Sequence, residues 1–135
     1  MSDHPNVTTV NSMTTAIFEQ DHDALAKIFT EDFEFHLRGP AHVAGDYHGV
    51  GGLMEAMGSI FEMTGGQIDL DQQLCVGTDG WAVEFEYATL GRSGGNGSTI
   101  VSKNALVYRF DGDRIAEWWM LLGVLPETAE AFFAA

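Results

Sequence analysis

The sequence predicts an α+β fold: a cone-shaped, curved antiparallel sheet with three helices packed on its concave side. Three observations carry this. Apolar residues recur at a helical period up to Gly65-Gly66 and at a period of two afterwards. The resulting order is helix, helix, short strand pair, helix and then a long antiparallel meander, so helices and strands segregate into layers. With 135 residues, 45% hydrophobic and 11% aromatic, the chain is long enough to bury a core and keep a cavity within it. One domain is expected over residues 1–135.

Each element has a local cause. After Pro5, the residues Val7, Val10, Thr14, Ile17 and Phe18 share one helical stripe. Asp21 is placed to cap a short second helix carrying Leu25, Ile28 and Phe29. A short strand, Phe33 to Arg38, ends in a Gly39-Pro40 turn, and a second extended piece closes in Ala44-Gly45-Asp46-Tyr47-His48-Gly49. The third helix carries Val50, Leu53, Met54, Met57, Ile60 and Phe61 on one face and stops at Gly65-Gly66. Ile68, Leu70, Leu74 and Val76 suggest a strand, and Trp81, Val83, Phe85 and Tyr87 alternate with Ala82, Glu84 and Glu86 in the next. A Gly-rich loop from Gly91 to Ser98 precedes a strand from Thr99 to Phe110. Asp111-Gly112-Asp113 makes a hairpin turn into a last strand, Arg114 to Val124, and Pro126 can start a terminal helix with Phe132 and Phe133.

Composition excludes several functions. Twenty acidic residues against six basic ones give a formal charge of −14, and Arg38, Lys103, Arg109 and Arg114 form no run. Neither nucleic acid nor an anionic membrane surface is an expected partner. Cys75 is the only cysteine, so no intrachain disulfide is possible, and it reads as a small buried hydrophobe. Met1 to Val10 lacks a basic region and an apolar core, which predicts a cytoplasmic protein. His36, His42 and His48 are six residues apart, a spacing that brings no metal set together on a strand or a helix, so no metal site is expected.

The runs Gln20-Asp21 to Asp32, His36, Ala44 to Gly49, Arg109-Phe110-Asp111-Gly112-Asp113-Arg114-Ile115-Ala116-Glu117-Trp118-Trp119 and Glu130 to Phe133 together resemble the SnoaL-like branch of the nuclear transport factor 2-like superfamily. The resemblance covers nearly the whole chain. It implies a cone-shaped nuclear transport factor 2-like barrel, a deep apolar pocket, often a homodimer, and usually no metal or organic cofactor. Known members include polyketide cyclases, a ketosteroid isomerase, a limonene epoxide hydrolase, dehydratases and non-catalytic modules, so the fold does not imply one chemistry. The chain also departs from the catalytic members. Leu37 stands where the isomerase has its base, Leu106 where its oxyanion-stabilising carboxylate falls, and Met13 near its tyrosine. Met120 to Val124 carries no acid where the cyclases have an aspartate, and Lys103-Asn104-Ala105 does not match the epoxide hydrolase's arginine and aspartates.

His36 is the acid-base candidate, because an imidazole titrates near neutrality and can move a proton beside a carbonyl. Alternation opposes it: if Phe33, Phe35 and Leu37 face the cavity, His36 faces away. Tyr47, Phe61, Tyr87, Asn104, Trp118 and Trp119 are the expected substrate-binding residues, with Tyr87 on the cavity face beside Trp81, Val83 and Phe85. Glu84 and Glu86 are then expected to point outward into solvent, across from Lys103 and Arg109. The run from Trp118 to Leu122 is apolar on both faces, which predicts a homodimer through the outer face of the sheet.

The expected function is cofactor-independent cyclisation, isomerisation or dehydration of a hydrophobic, oxygenated, polyketide-like small molecule. A non-catalytic binding or association module is the alternative. Addition of water to an epoxide is a third reading; it needs an acid pair on an inward face, and none is expected.

Overall fold

The computed structural model of the chain describes residues 3–39, 44–91, 99–125, 127–128 and 132. These form helices α1 (Pro5–Glu19), α2 (His22–Ile28) and α3 (Gly49–Thr64), and strands β1 (Phe29–Arg38), β2 (Gly45–His48), β3 (Ile68–Thr78), β4 (Trp81–Gly91), β5 (Thr99–Asp111) and β6 (Arg114–Leu121).

The helix boundaries follow the local chemistry. Pro5 opens α1, where its missing N–H costs nothing, and the Asn6 amide donates to His4 Nδ1 at 3.1 Å. Asp21 caps α2 by accepting from the Ala24 amide at 3.1 Å. Gly65 ends α3 in the left-handed conformation at φ 61°, which a side chain would disfavour. The last strand stops at Leu121, short of the expected Val124. Most of the expected terminal helix lies outside the described residues, although Phe132 is buried in the core. The Gly-rich loop from residue 92 to 98, and His42, also lie outside them.

The six strands form one sheet in the order β2-β1-β6-β5-β4-β3. This corrects the expected cone-shaped antiparallel barrel in two respects. The sheet is mixed, because β1 pairs in parallel with β6, placing Phe35 opposite Trp118 and His36 opposite Trp119. It is also open, with β2 and β3 as its edges, and neither closes nor curls strongly. Alternation in a sequence specifies which residues share a face; it carries no information about the direction of a distant partner strand.

All three helices contribute to a core on one face of the sheet. Val10, Met13 and Ile17 from α1, Leu25 from α2 and Leu53 and Met57 from α3 meet Phe33, Phe35, Leu37, Leu106, Tyr108 and Trp118. No helix among the described residues covers the opposite, outer face. It exposes Leu74, Val76, Trp81, Phe85, Tyr87, Val101 and Leu121. A bulge at Gln72/Leu74 in β3 explains two of these: Leu70 and Gln72 point inward, and the extra residue turns Leu74 and Val76 to the outer face beside Phe85 and Val83.

Candidate functional site

A cavity of about 100 Å³ lies between the sheet and helices α1 and α3. The helix side is apolar, formed by Ile17, Phe18, Met57, Ile60 and Phe61, with the rings of Phe18 and Phe61 5.6 Å apart. Polar groups come from the sheet side: Glu84 and Glu86 of β4, and Ser102, Asn104 and Tyr108 of β5. The site is therefore an apolar chamber with one acidic wall.

Glu84 and Glu86 face inward, against the expectation that they would be solvated. The large residues that alternate with them face out instead, with Phe85 45% and Tyr87 40% exposed. The reason is pairing. Glu86 lies opposite Asn104 and Glu84 opposite Leu106, both inward, whereas Tyr87 lies opposite Lys103 and Trp81 opposite Arg109. Ranking β4 by hydrophobicity inverts its faces, because its aromatic side belongs to the uncovered outer surface. Ala82 and Ala88, small residues that fit beneath helices, are the sequence signal for the correct parity. The inward placement of Ser102 and Asn104 was legible as a polar pair on an otherwise apolar face.

The acidic wall is a connected network. Tyr108 donates its hydroxyl to Glu84 Oε1 at 2.8 Å, and Gln72 Nε2 donates to Glu84 Oε2 at 2.6 Å. The same Gln72 nitrogen donates to Asn11 of α1 at 3.0 Å, tying the network to the helix layer. Asn104 Nδ2 donates to Glu86 Oε2 at 3.1 Å, and Ser102 Oγ donates to Asn104 Oδ1 at 2.6 Å, which fixes the amide's orientation. Burial pushes the Glu86 carboxyl up to about 7; the Asn104 hydrogen bond opposes this and the neighbouring Glu84 charge adds to it. Burial, reinforced by Glu84, holds the Tyr108 phenol well above its usual range. Trp118 also lines the cavity, its ring 5.2 Å from that of Tyr108, and its indole N–H is buried without a hydrogen-bond partner among the described residues.

Of the residues expected to bind substrate, Phe61, Asn104 and Trp118 line the cavity. Tyr47 does not; it packs on Phe35 at 6.0 Å. Tyr87 and Trp119 lie on the outer face, where Trp119 sits between His36 at 5.5 Å and Trp81 at 6.4 Å. His36 is on the outer face too, as β1 alternation requires, and away from the cavity. Its Nδ1 contacts Asp46 and its Nε2 contacts Glu117, each at 2.6 Å, so both ring nitrogens face carboxylates. Burial disfavours its charge, but the hydrogen bonds it donates to Asp46 and Glu117 and their negative charge outweigh this and raise the pKa above 6.5.

Glu34, His36 and Glu117 bring potential metal ligands within 4.8 Å of one another. Arg109 lies 3.3 Å from Glu117, and Arg38 lies 2.7 Å from the adjoining Asp46, so the cluster supplies its own positive charge. No helix among the described residues is long and apolar enough to cross a membrane.

Comparison with known proteins agrees with this architecture. No curated protein gives a significant sequence match. Among solved structures, Bal32a from a soil-derived mobile gene cassette is similar at 20% identity and a TM-score of 0.80, with 96% of each chain covered. A candidate SnoaL-like polyketide cyclase from Jannaschia sp. CCS1 is similar at 14% identity and a TM-score of 0.80, covering 100% of this chain and 99% of that one. TerC, co-crystallised with polyporic acid, is similar at 12% identity and a TM-score of 0.79, covering 98% of this chain and all of its own. At these identities the likeness establishes the fold. The SnoaL-like domain family itself matches residues 10–118, and the chain belongs to that family, within the nuclear transport factor 2-like superfamily.

Proposed function

We propose that the protein is a cofactor-independent acid-base enzyme acting on a hydrophobic, oxygenated small molecule, with Glu86 as its proton-transfer group. One observation carries this reading: a glutamate only 7% exposed, held near pKa 7, lines an apolar cavity. A carboxyl tuned to the working pH is populated in both proton states, and general acid-base catalysis of this kind is worth about a hundredfold to ten-thousandfold.

The mechanism follows from the wall. As a carboxylate, Glu86 removes a proton from carbon beside a carbonyl; as the acid, it returns the proton elsewhere on the same skeleton. Glu84, held by Tyr108 and Gln72, raises the basicity of its neighbour. Trp118 adds an aromatic ring to the wall against which the substrate packs. Phe61 and Asn104 position the ring system, and His36 takes no part in the step. In isomerisation the proton returns to another carbon; in cyclisation the carbanion attacks a second carbonyl, whose oxygen takes the proton; in dehydration the proton goes to the hydroxyl that departs as water.

The same inward pair favours a second reading, water addition to an epoxide, for which one carboxylate takes a proton from the attacking water and the other group, as the carboxylic acid, protonates the ring oxygen as its C–O bond breaks. The TerC complex with polyporic acid supports a small-molecule role for the fold. An acidic ligand itself suits this cavity poorly, since its described lining residues include no Lys, Arg or His. We further assign the exposed apolar outer face to a homodimer contact.

The test is a turnover screen of polycyclic ketones and aryl epoxides with the wild type and Glu86→Gln. Loss of at least a hundredfold in kcat in the variant, with binding kept, is the expected result. Turnover that survives the substitution removes Glu86 from the mechanism, and binding without turnover of either class favours a non-catalytic binding module.

A further inference from the structure

The cavity's acidic groups meet no countercharge among the described residues that line it. Glu84 is 4% exposed and, among the described residues, accepts hydrogen bonds only from neutral donors, the Tyr108 hydroxyl and the Gln72 amide. Glu86 uses Oε2 to accept from Asn104, and Oε1 has no hydrogen-bond partner among the described residues. The helices facing the pair present Thr14, Ile17, Phe18, Met57, Ile60 and Phe61, none of them ionisable. The other titratable neighbours are Tyr108 on β5 and Cys75, which lies opposite Glu84 on β3, and both are weak acids. An ionised carboxylate buried this deeply is unfavourable unless it meets an opposite charge, and the described protein groups around the cavity supply none.

We propose that the cavity takes a hydrophobic ligand bearing a protonated amine, with the ammonium seated at Glu84 and Glu86 and the hydrocarbon body against the Phe18 and Phe61 side. This rests on reading the cavity as the ligand site, and it is independent of whether Glu86 transfers protons in a reaction. An ammonium brings its own N–H donors to Glu86 Oε1 and to the remaining lone pairs of Glu84, and such charge-assisted bonds are roughly twice as strong as neutral ones. Binding also favours ionised Glu86. When the carboxyl is protonated beforehand, amine uptake releases that proton to solvent, while the ligand keeps its own charge. An anionic ligand of the same shape meets the reverse field.

Calorimetric titration of the intact protein with 2-naphthylmethylamine, 2-naphthylmethanol and 2-naphthoate between pH 5.5 and 8.5 tests this, since the three share a ring system and differ in charge. At pH 8 the amine should bind about tenfold or more tightly than the alcohol, and naphthoate more weakly than either. The advantage of the amine should shrink as pH falls through 7, and Glu86→Gln should remove that pH dependence. An alcohol that binds as tightly as the amine at pH 8, or a naphthoate that binds more tightly than the amine, overturns the charge preference alone. Binding by none of the three overturns the assignment of the cavity as a ligand site, and this inference with it.

Discussion

Replacing Glu86 by Gln should stabilise the protein at alkaline pH and leave it nearly unchanged at acid pH. The carboxyl has an ordinary value of 4.5 and is raised to about 7 in the fold. Between those values the native state keeps a proton that the unfolded chain has lost, so stability falls as pH rises through this window, and the cost is complete above about 7. At about 1.4 kcal/mol for each pH unit between the two values, the full cost is about 3 kcal/mol. Glutamine retains an oxygen that accepts from Asn104 and carries no ionisable proton, so the variant escapes this cost. Urea unfolding of both proteins at pH 5 and pH 8 measures the difference directly. The variant should be more stable by about 3 kcal/mol at pH 8, roughly 10 °C in Tm for a chain of this length, and by a small fraction of that at pH 5. His36, whose imidazole is raised above its ordinary value, is common to both proteins and cancels. Equal differences at the two pH values would refute the account, because they would mean that the Glu86 proton is not linked to folding.

Three further predictions follow from the same geometry. Tyr108→Phe leaves Glu84 Oε1 without its buried donor and should cost about 1–3 kcal/mol in denaturant unfolding, with a loss under 0.5 kcal/mol counting against the network. Phe85→Glu places a charge in the centre of the exposed outer face; sedimentation velocity should show a shift from dimer to monomer, and an unchanged species distribution would remove that face from the contact. His36→Asn should destabilise the protein below pH 6.5, where the wild-type imidazolium bridges Asp46 and Glu117, and the penalty should fade as pH rises past the elevated native pKa; a penalty that grows with pH contradicts the bridge.

Much of the fold was legible because its determinants are local. Pro5, Asp21 and Gly65 each mark a helix boundary through their own backbone or side-chain chemistry, and Gly112 at φ 65° provides the β5–β6 turn. The outward orientation of His36 followed from alternation with Phe35 and Leu37, and the inward one of Asn104 from its apolar companions Leu106 and Tyr108. What escaped the sequence depends on distant partners. The parallel pairing of β1 with β6, the bulge at Gln72/Leu74 and the true inner face of β4 are set by register across the sheet. Glu84 and Glu86 were hidden for the same reason: a buried acid and a solvated one look identical until the Tyr108, Gln72 and Asn104 that accompany them are brought alongside.

The parallel contact between β1 and β6 has a consequence for how the chain is made. Phe35 and Leu37 leave the ribosome well before Trp118 and Met120, the neighbours that flank them in the sheet and lie far along the chain. Until then the first strand has the four-residue β2 as its described partner, and its apolar side is sheltered by the helices. Closing so long a segment carries an entropic penalty that local contacts do not offset, so the sheet assembles late and slowly relative to its helices. The acidic wall, borne on β4 and β5, also waits for β6, which brings Trp118 to the chamber. A nascent chain halted before β6 therefore presents an unfinished, apolar sheet edge, which makes this interval the one in which the protein is most exposed to aggregation.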